Sequence, residues 1–178
     1  WYNIDKRGKI MNFEQQLLNK HILIIDDDKI LNSSIRDILT AYGFSNLTSA
    51  YDIESSLDMI EIEQFDLFLL DIMLPDGDGY TLAKHIRKKG DTPILFLTAK
   101  NNPEDEVAGF NAGGDDYVVK PFIPKNLIYR IMALLRRSYK SEQEAIQIGQ
   151  TLVSFRNATV QKNGAEISIT PIEIKILK

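Results

Sequence analysis

From residue 22 the chain reads Ile22-Leu23-Ile24-Ile25-Asp26-Asp27-Asp28, four apolar residues closed by three carboxylates. A run this short, bounded by charge, marks a strand buried on both faces, as in a parallel sheet. The same form recurs along the chain. Leu67 to Leu70 runs into Asp71, Ile94 to Leu97 into Thr98, and Tyr117 to Val119 into Lys120, while Phe44 to Thr48 supplies one more strand. Between the strands apolar residues follow the 3.6 period: Ile30, Leu31, Ile35, Ile38 and Leu39 share one face, as do Leu127, Ile128, Ile131, Leu134 and Leu135. Gly43, Gly90 and the pair Gly113 with Gly114 fall where helices should stop, since glycine takes the left-handed C-terminal conformation at little cost. Residues 21 to about 138 therefore read as five strand–helix units, an α/β fold with a doubly wound parallel sheet.

The whole chain has 178 residues, with 21 Lys+Arg against 25 Asp+Glu for a net charge of −4. One ordinary domain of roughly 120 residues fits, with about 60 left over. At 44% hydrophobic and 26% charged residues, the composition is that of a globular chain and excludes global disorder. There is no cysteine, which excludes disulfides, thiolate metal sites and a cysteine nucleophile, and favours a reducing compartment such as the cytoplasm. The apolar runs are strand-length, far below the roughly 20 residues of a membrane span, so no membrane association is expected. Trp1 to Ile10 lacks the apolar stretch of a signal peptide; it reads as upstream sequence, with Met11 a candidate start.

After Arg136 and Arg137 a polar stretch from Ser138 to Glu144 reads as a linker, and β-like runs follow. These are Ile146 to Ile148, Leu152 to Phe155, Ala158 to Gln161 and Glu166 to Ile169, with Asn163-Gly164 suited to a two-residue hairpin. Thr170-Pro171 then caps a helical start, Ile172 to Lys178.

In a doubly wound sheet, reactive groups gather at the carboxyl ends of the strands, beside the switch in strand order. Here that rule selects Asp26, Asp27 and Asp28, then Asp71, Thr98 and Lys120. Crowded carboxylates repel and call for a cation, and an all-oxygen set suits Mg²⁺. Lys120 adds a point charge, while the Thr98 hydroxyl and the amide of Ala99 can donate hydrogen bonds. Such a crevice would stabilise a phosphoryl group transferred onto a carboxylate. Taken singly, the features have plainer readings: Asp28 as a helix N-cap, Lys120-Pro121 as a surface lysine before a turn. It is their combination that points to chemistry.

The blocks ILIIDDD (22–28), LFLLDIMLPDGDGY (67–80), FLTAK (96–100) and GGDDYVVKPF (113–122) resemble those of bacterial response-regulator receiver domains. The resemblance covers about residues 20 to 138 and implies a (βα)5 flavodoxin-like sheet of strand order 2-1-3-4-5. It implies Asp71 as phosphoacceptor and Asp26 with Asp27 as the acidic pair. Asp27, Asp71 and the backbone carbonyl of Met73 would ligate Mg²⁺. Thr98 and Lys120 would read and neutralise the phosphoryl group, and Tyr117 falls at the aromatic switch position. By the same resemblance Asp71 takes its phosphoryl group from a sensor histidine kinase. Thr98 and Tyr117 then bias the surface formed by the fourth helix, fifth strand and fifth helix. No enzymatic turnover is implied beyond Mg²⁺-dependent self-phosphorylation and autodephosphorylation.

Residues 146–177, from IQIGQTLVSFRNATV to TPIEIKIL, resemble the β platform and first-helix start of the winged-helix effector of OmpR/PhoB-type transcription factors. The expected division is an extension at 1–19, a receiver at 20–138, a linker at 139–145 and an incomplete winged-helix part at 146–178. The recognition helix and wing would lie beyond residue 178. Residues 141–178 carry Arg156, Lys162, Lys175 and Lys178 against Glu142, Glu144, Glu166 and Glu173, a net charge of zero, whereas a DNA-binding face should be basic. Promoter DNA is thus expected as a partner of a longer parent and not of these residues alone.

OmpR/PhoB-type receivers pair a basic residue of the fourth helix with an acidic one of the fifth across a symmetric dimer. The matching positions here are Glu106 and Asn126, while Asp115, Asp116, Arg130 and Arg137 survive. A phosphorylation-promoted homodimer of reduced affinity follows, since exposed pairs contribute only about 0.2 to 1 kcal/mol each.

Other readings are weaker. A haloacid-dehalogenase-like phosphatase needs a second aspartate where Met73 stands. An NTPase needs a Gly-rich Lys-Ser/Thr loop, and Asp76 to Gly79 lacks the spacing of a calcium loop, so a turn accounts for it better. A receiver working only through protein contacts remains an alternative. His21 and His85 are too far apart in sequence to suggest a metal pair. Trp1, Phe65, Phe68, Phe96 and Phe110 read as tail or packing groups rather than a base-stacking platform.

Overall fold

The computed structural model describes residues 13–99, 111–143, 145–148, 151–154, 159–162 and 165–168. Two compact units divide the chain, Trp1–Leu135 and Arg136–Lys178. In the first, the strands β1 (Ile22–Ile25), β2 (Leu47–Ala50), β3 (Leu67–Asp71), β6 (Ile94–Thr98) and β7 (Asp116–Val119) form one sheet of order β2-β1-β3-β6-β7. All pairings are parallel, which gives the expected five-stranded order 2-1-3-4-5. Between β3 and β6 a two-stranded hairpin, β4 (Met73–Leu74) with β5 (Gly77–Asp78), occupies the stretch read as a turn.

Among the described residues the helices are α1 (Phe13–Leu18), α2 (Lys29–Tyr42), α3 (Ile53–Ile62), α4 (Gly79–Lys89) and α5 (Pro124–Gln143), the last running on past Leu135. Every residue of β1, β3 and β6 is buried, as apolar strands in a sheet covered on both faces must be. The expected stripe of α5, Leu127, Ile128, Ile131, Leu134 and Leu135, is buried throughout.

Three local readings are corrected. The second strand starts at Leu47 and not at Phe44, because Phe44 belongs to the end of α2: its N–H reaches Leu39 O while Gly43 N–H reaches Thr40 O. Those paired bonds are the Schellman closure, with Gly43 left-handed at φ +119°. Gly90 also ends its helix, though with extended backbone. The second correction is on α2, where Ile30 is 81% exposed: the buried line runs Asn32, Ile35, Leu39, and at about 100° per residue Ile30 falls on the opposite side of the helix. The third concerns the linker: α5 continues through Gln143 and β8 begins at Ala145. Lys140, Ser141, Glu142 and Gln143 include no glycine or proline, so nothing in the chain stops the helix there. The extension at 1–19 likewise contains a helix, α1, whose Leu17 is fully buried.

The second unit contains a four-stranded antiparallel sheet of β8 (Ala145–Ile148), β9 (Thr151–Ser154), β10 (Thr159–Lys162) and β11 (Ala165–Ser168), in the order β11-β10-β9-β8. Lys162 pairs with Ala165, so two residues join β10 to β11, as the expected hairpin requires. Asn163-Gly164 and the helical start after Thr170 lie outside the described residues.

Candidate phosphoacceptor site

Strand ends bring the acidic residues together. Asp26 follows β1 directly, its N–H bonded to Ala50 O across the sheet, and is fully buried. Asp71 closes β3 and is also buried, whereas Asp27 is exposed. One carboxylate oxygen from each of Asp26, Asp27 and Asp71 lies within 4.8 Å of the others. Asp28 takes the plainer role: its Oδ1 accepts Ile30 N–H at 2.9 Å and Leu31 N–H at 3.1 Å, capping α2.

Lys120 reaches this group from the end of β7. Its Nζ donates to Asp26 Oδ2 at 2.6 Å and to Asp71 Oδ2 at 2.7 Å. Burial pushes the Asp26 carboxyl up, and the Lys120 bonds only partly oppose this. For Lys120 burial works against the charge, yet its bonds to Asp26 and Asp71 hold its pKa above the usual lysine value. A buried acid with a raised pKa beside an ammonium is the electrostatic signature of a site built for charge.

Thr98 closes β6, is buried, and pairs with Val119; its carbonyl accepts Lys120 N–H at 2.7 Å. Ala99 follows it, exposed, at the rim. Met73 N–H donates to Asp71 Oδ1 at 3.2 Å, and the Met73 side chain is 56% exposed, so this backbone lies beside the Asp71 carboxylate. Tyr117 on β7 pairs with Phe96 and packs half-buried against the core. Asp26, Asp27, Asp71, Thr98 and Lys120 are thus assembled at the carboxyl end of the sheet by strands distant in sequence.

The residues read as a dimer face are engaged within the chain. Asp115 Oδ2 accepts Arg87 Nη2 at 2.6 Å and Ile94 N–H at 2.9 Å. Arg130 Nη1 donates to both carboxylate oxygens of Asp116, at 2.6 and 2.7 Å. Arg137 and Asn126 are exposed on α5, and Glu106 lies outside the described residues. His21 stands at the amino end of β1, its ring against Phe65, and bonds Gln64 O and Thr48 Oγ1. His85 faces Glu61 from α4.

Sequence reasoning passed over three residues that support this geometry: Asn32, Asp76 and Arg87. Asn32 Nδ2 faces the carbonyls of Ile24, Asp26 and Ala50 and ties the ends of β1 and β2 together. A buried asparagine at a helical core position was the only available signal. Asp76 bonds backbone N–H groups, and Arg87 bonds two backbone carbonyls besides the Asp115 carboxylate; backbone partners leave no sequence pattern.

No helix among the described residues is long and apolar enough to cross a membrane. The family described as response regulator receiver domain matches residues 22–132. The probable transcriptional regulator ycf27 of Cyanophora paradoxa is 36% identical over 170 residues, covering 92% of this chain and 71% of that protein. The transcriptional regulatory protein CpxR of Escherichia coli strain K12 is 36% identical over 167 residues, covering 85% and 71%. Among solved structures, the Francisella response regulator 1452 receiver domain superposes with a TM-score of 0.64 at 34% identity, covering 67% of this chain and 99% of that one. DrrB of Thermotoga maritima, an OmpR/PhoB homologue, gives 0.62 at 30% identity over 89% and 70%. With strand order, site geometry and these relatives in agreement across most of the chain, the protein belongs to the response-regulator receiver family, and its relatives are transcriptional regulators.

Proposed function

We propose that Asp71 accepts a phosphoryl group from the phosphohistidine of a sensor kinase in the cytoplasm. The observation that carries this reading is the Lys120 ammonium bridging Asp26 and Asp71 beside Asp27. The three carboxylates and the adjacent Met73 backbone form an oxygen-only donor set that fits Mg²⁺, with Asp27, Asp71 and the Met73 carbonyl as direct ligands and Asp26 as further support. When bound, the ion supplies positive charge that offsets the charge of the transferring group. A carboxylate oxygen of Asp71 forms the new O–P bond as the N–P bond breaks, and the donor imidazole keeps that electron pair. Lys120 holds Asp71 oriented and meets the charge on the phosphoryl oxygens. Thr98 and the Ala99 amide donate hydrogen bonds to them, which draws Thr98 toward the site and leaves room for Tyr117 to turn inward.

That shift would act on the surface carrying Asp116 and Arg130 and promote a symmetric dimer by exchanging the intrachain Arg130–Asp116 pair, with Arg137 contributing. Residues 146–178 would form the β platform of a winged-helix part that reads promoter DNA in a longer chain. The zero net charge of residues 141–178 favours a second reading, a receiver acting through protein contacts alone.

The test is intact mass after incubation with acetyl phosphate and Mg²⁺. A gain of one phosphoryl group by the wild type, absent in Asp71→Ala and absent without Mg²⁺, is the expected result. Sedimentation with beryllofluoride checks the dimer, which should form only with the phosphoryl mimic.

A further inference from the structure

The hairpin β4–β5 leaves the site directly after Asp71 and returns at Gly79, whose N–H bonds Ile72 O at 2.8 Å. At its tip Asp76 lays its carboxylate across the first turn of α3. Oδ1 accepts Ile53 N–H at 2.9 Å and Oδ2 accepts Glu54 N–H at 3.0 Å. The helix already has its own cap, Asp52, whose Oδ1 takes the next donor, Ser55 N–H, at 2.7 Å. Three successive donors of α3 are therefore satisfied, two of them by a segment more than twenty residues away. Gly77 confirms the closeness of this docking: at φ +158°, a Cβ there would stand 2.9 Å from Ile53 Cδ1. The two bonds also hold the Asp76 carboxyl below its ordinary value, Ile53 contributing most.

The hairpin is thus fastened at both ends, to Asp71 through Met73 N–H and to α3 through Asp76. Phosphoryl transfer makes no direct use of Asp76. We infer that Asp76 is a positioning residue which, by anchoring the hairpin tip on α3, holds the Met73 backbone where its carbonyl serves the divalent cation. This rests on the proposed Mg²⁺ site and names a residue that tunes its affinity.

Calorimetric Mg²⁺ titration of the full chain tests it, with Asp76→Ala, Asp76→Asn and Asp52→Ala beside the wild type. Removing a residue that orients a metal ligand should weaken Mg²⁺ binding by about tenfold. At saturating Mg²⁺, phosphorylation by acetyl phosphate should stay within about twofold of wild type, because the reacting groups are untouched. Asp76→Asn, which keeps one acceptor oxygen, should fall between, and amide exchange at Ile53 and Glu54 should quicken in both Asp76 variants. Asp52→Ala weakens the same helix end without touching the hairpin and should leave Mg²⁺ affinity unchanged. Equal Mg²⁺ affinity in wild type and a folded Asp76 variant overturns the inference, as does an equal loss in Asp52→Ala. A wild type that binds no Mg²⁺ overturns instead the site reading beneath it.

Discussion

The Lys120 ammonium lies 2.7 Å from Oδ2 of Asp71 although 49 residues separate them in sequence. Two strands of the sheet, β3 and β7, end side by side across β6, and it is this topology that brings the pair into contact. The lysine also holds buried Asp26, so one positive charge is shared between two carboxylates.

Replacing Lys120 with methionine should abolish phosphoryl uptake and destabilise the fold by about 3 kcal/mol near neutral pH, since a buried carboxylate loses its partner. The pH dependence has two limbs. Asp26 has a folded pKa above its ordinary 3.8, so the folded state takes its proton first, and stability falls as pH rises from 3.8 through the raised value. Lys120 has a folded pKa above 10.5, so its contribution is complete below 10.5 and is lost as pH rises through the folded value. Lys120→Met should steepen the first limb and remove the second, as thermal unfolding across pH will read.

Asn32 is 1% exposed and presents its amide N–H₂ to three backbone carbonyls. Asn32→Leu leaves those acceptors facing an apolar side chain and should cost about 1–3 kcal/mol in urea unfolding. Asn32→Asp should be worse, because a carboxylate would confront the same carbonyl oxygens with no hydrogen to offer.

The gathering of polar residues at the strand ends is legible because it depends on short apolar runs each closed by a polar residue, a pattern the sequence displays in order. Boundaries were less so. Phe44 looks like a strand residue because it is apolar and precedes Leu47, yet backbone bonds to Leu39 assign it to a helix cap. Ile30 looks like core because it is apolar and adjoins Leu31, yet at about 100° per residue it stands opposite Leu39 and faces outward. Asp76 acts on backbone N–H groups and Arg87 on two backbone carbonyls besides the Asp115 carboxylate, and backbone groups are carried by every residue, so those partners are not announced by residue type.

Arg87 shows what such hidden bonds hold. Nε donates to Gly113 O at 2.8 Å, Nη1 to Thr92 O at 2.5 Å and Nη2 to Asp115 at 2.6 Å, tying together the segments that lead into β6 and β7. Arg87→Lys should restore little, because a single ammonium does not reproduce a planar fork. A loss of about 2 kcal/mol is expected for both Arg87→Lys and Arg87→Ala by chemical denaturation.

Gly79 stands so close to the Asp71 carbonyl oxygen that a Cβ would overlap it. Gly79→Ala must displace the backbone of Asp71 or the start of α4. Destabilisation of about 1–3 kcal/mol and a reduced rate of phosphorylation should appear together, read by thermal unfolding and by intact-mass kinetics.

The central claim is that the phosphoryl group resides on the carboxylate of Asp71. Borohydride reduces an aspartyl phosphate to homoserine, so treatment of the phosphorylated chain followed by peptide mapping locates the modified residue. Reduction confined to position 71 and dependent on Mg²⁺ is the predicted result; phosphoryl uptake with reduction at Asp26, Asp27 or elsewhere, or with none at all, would contradict the account.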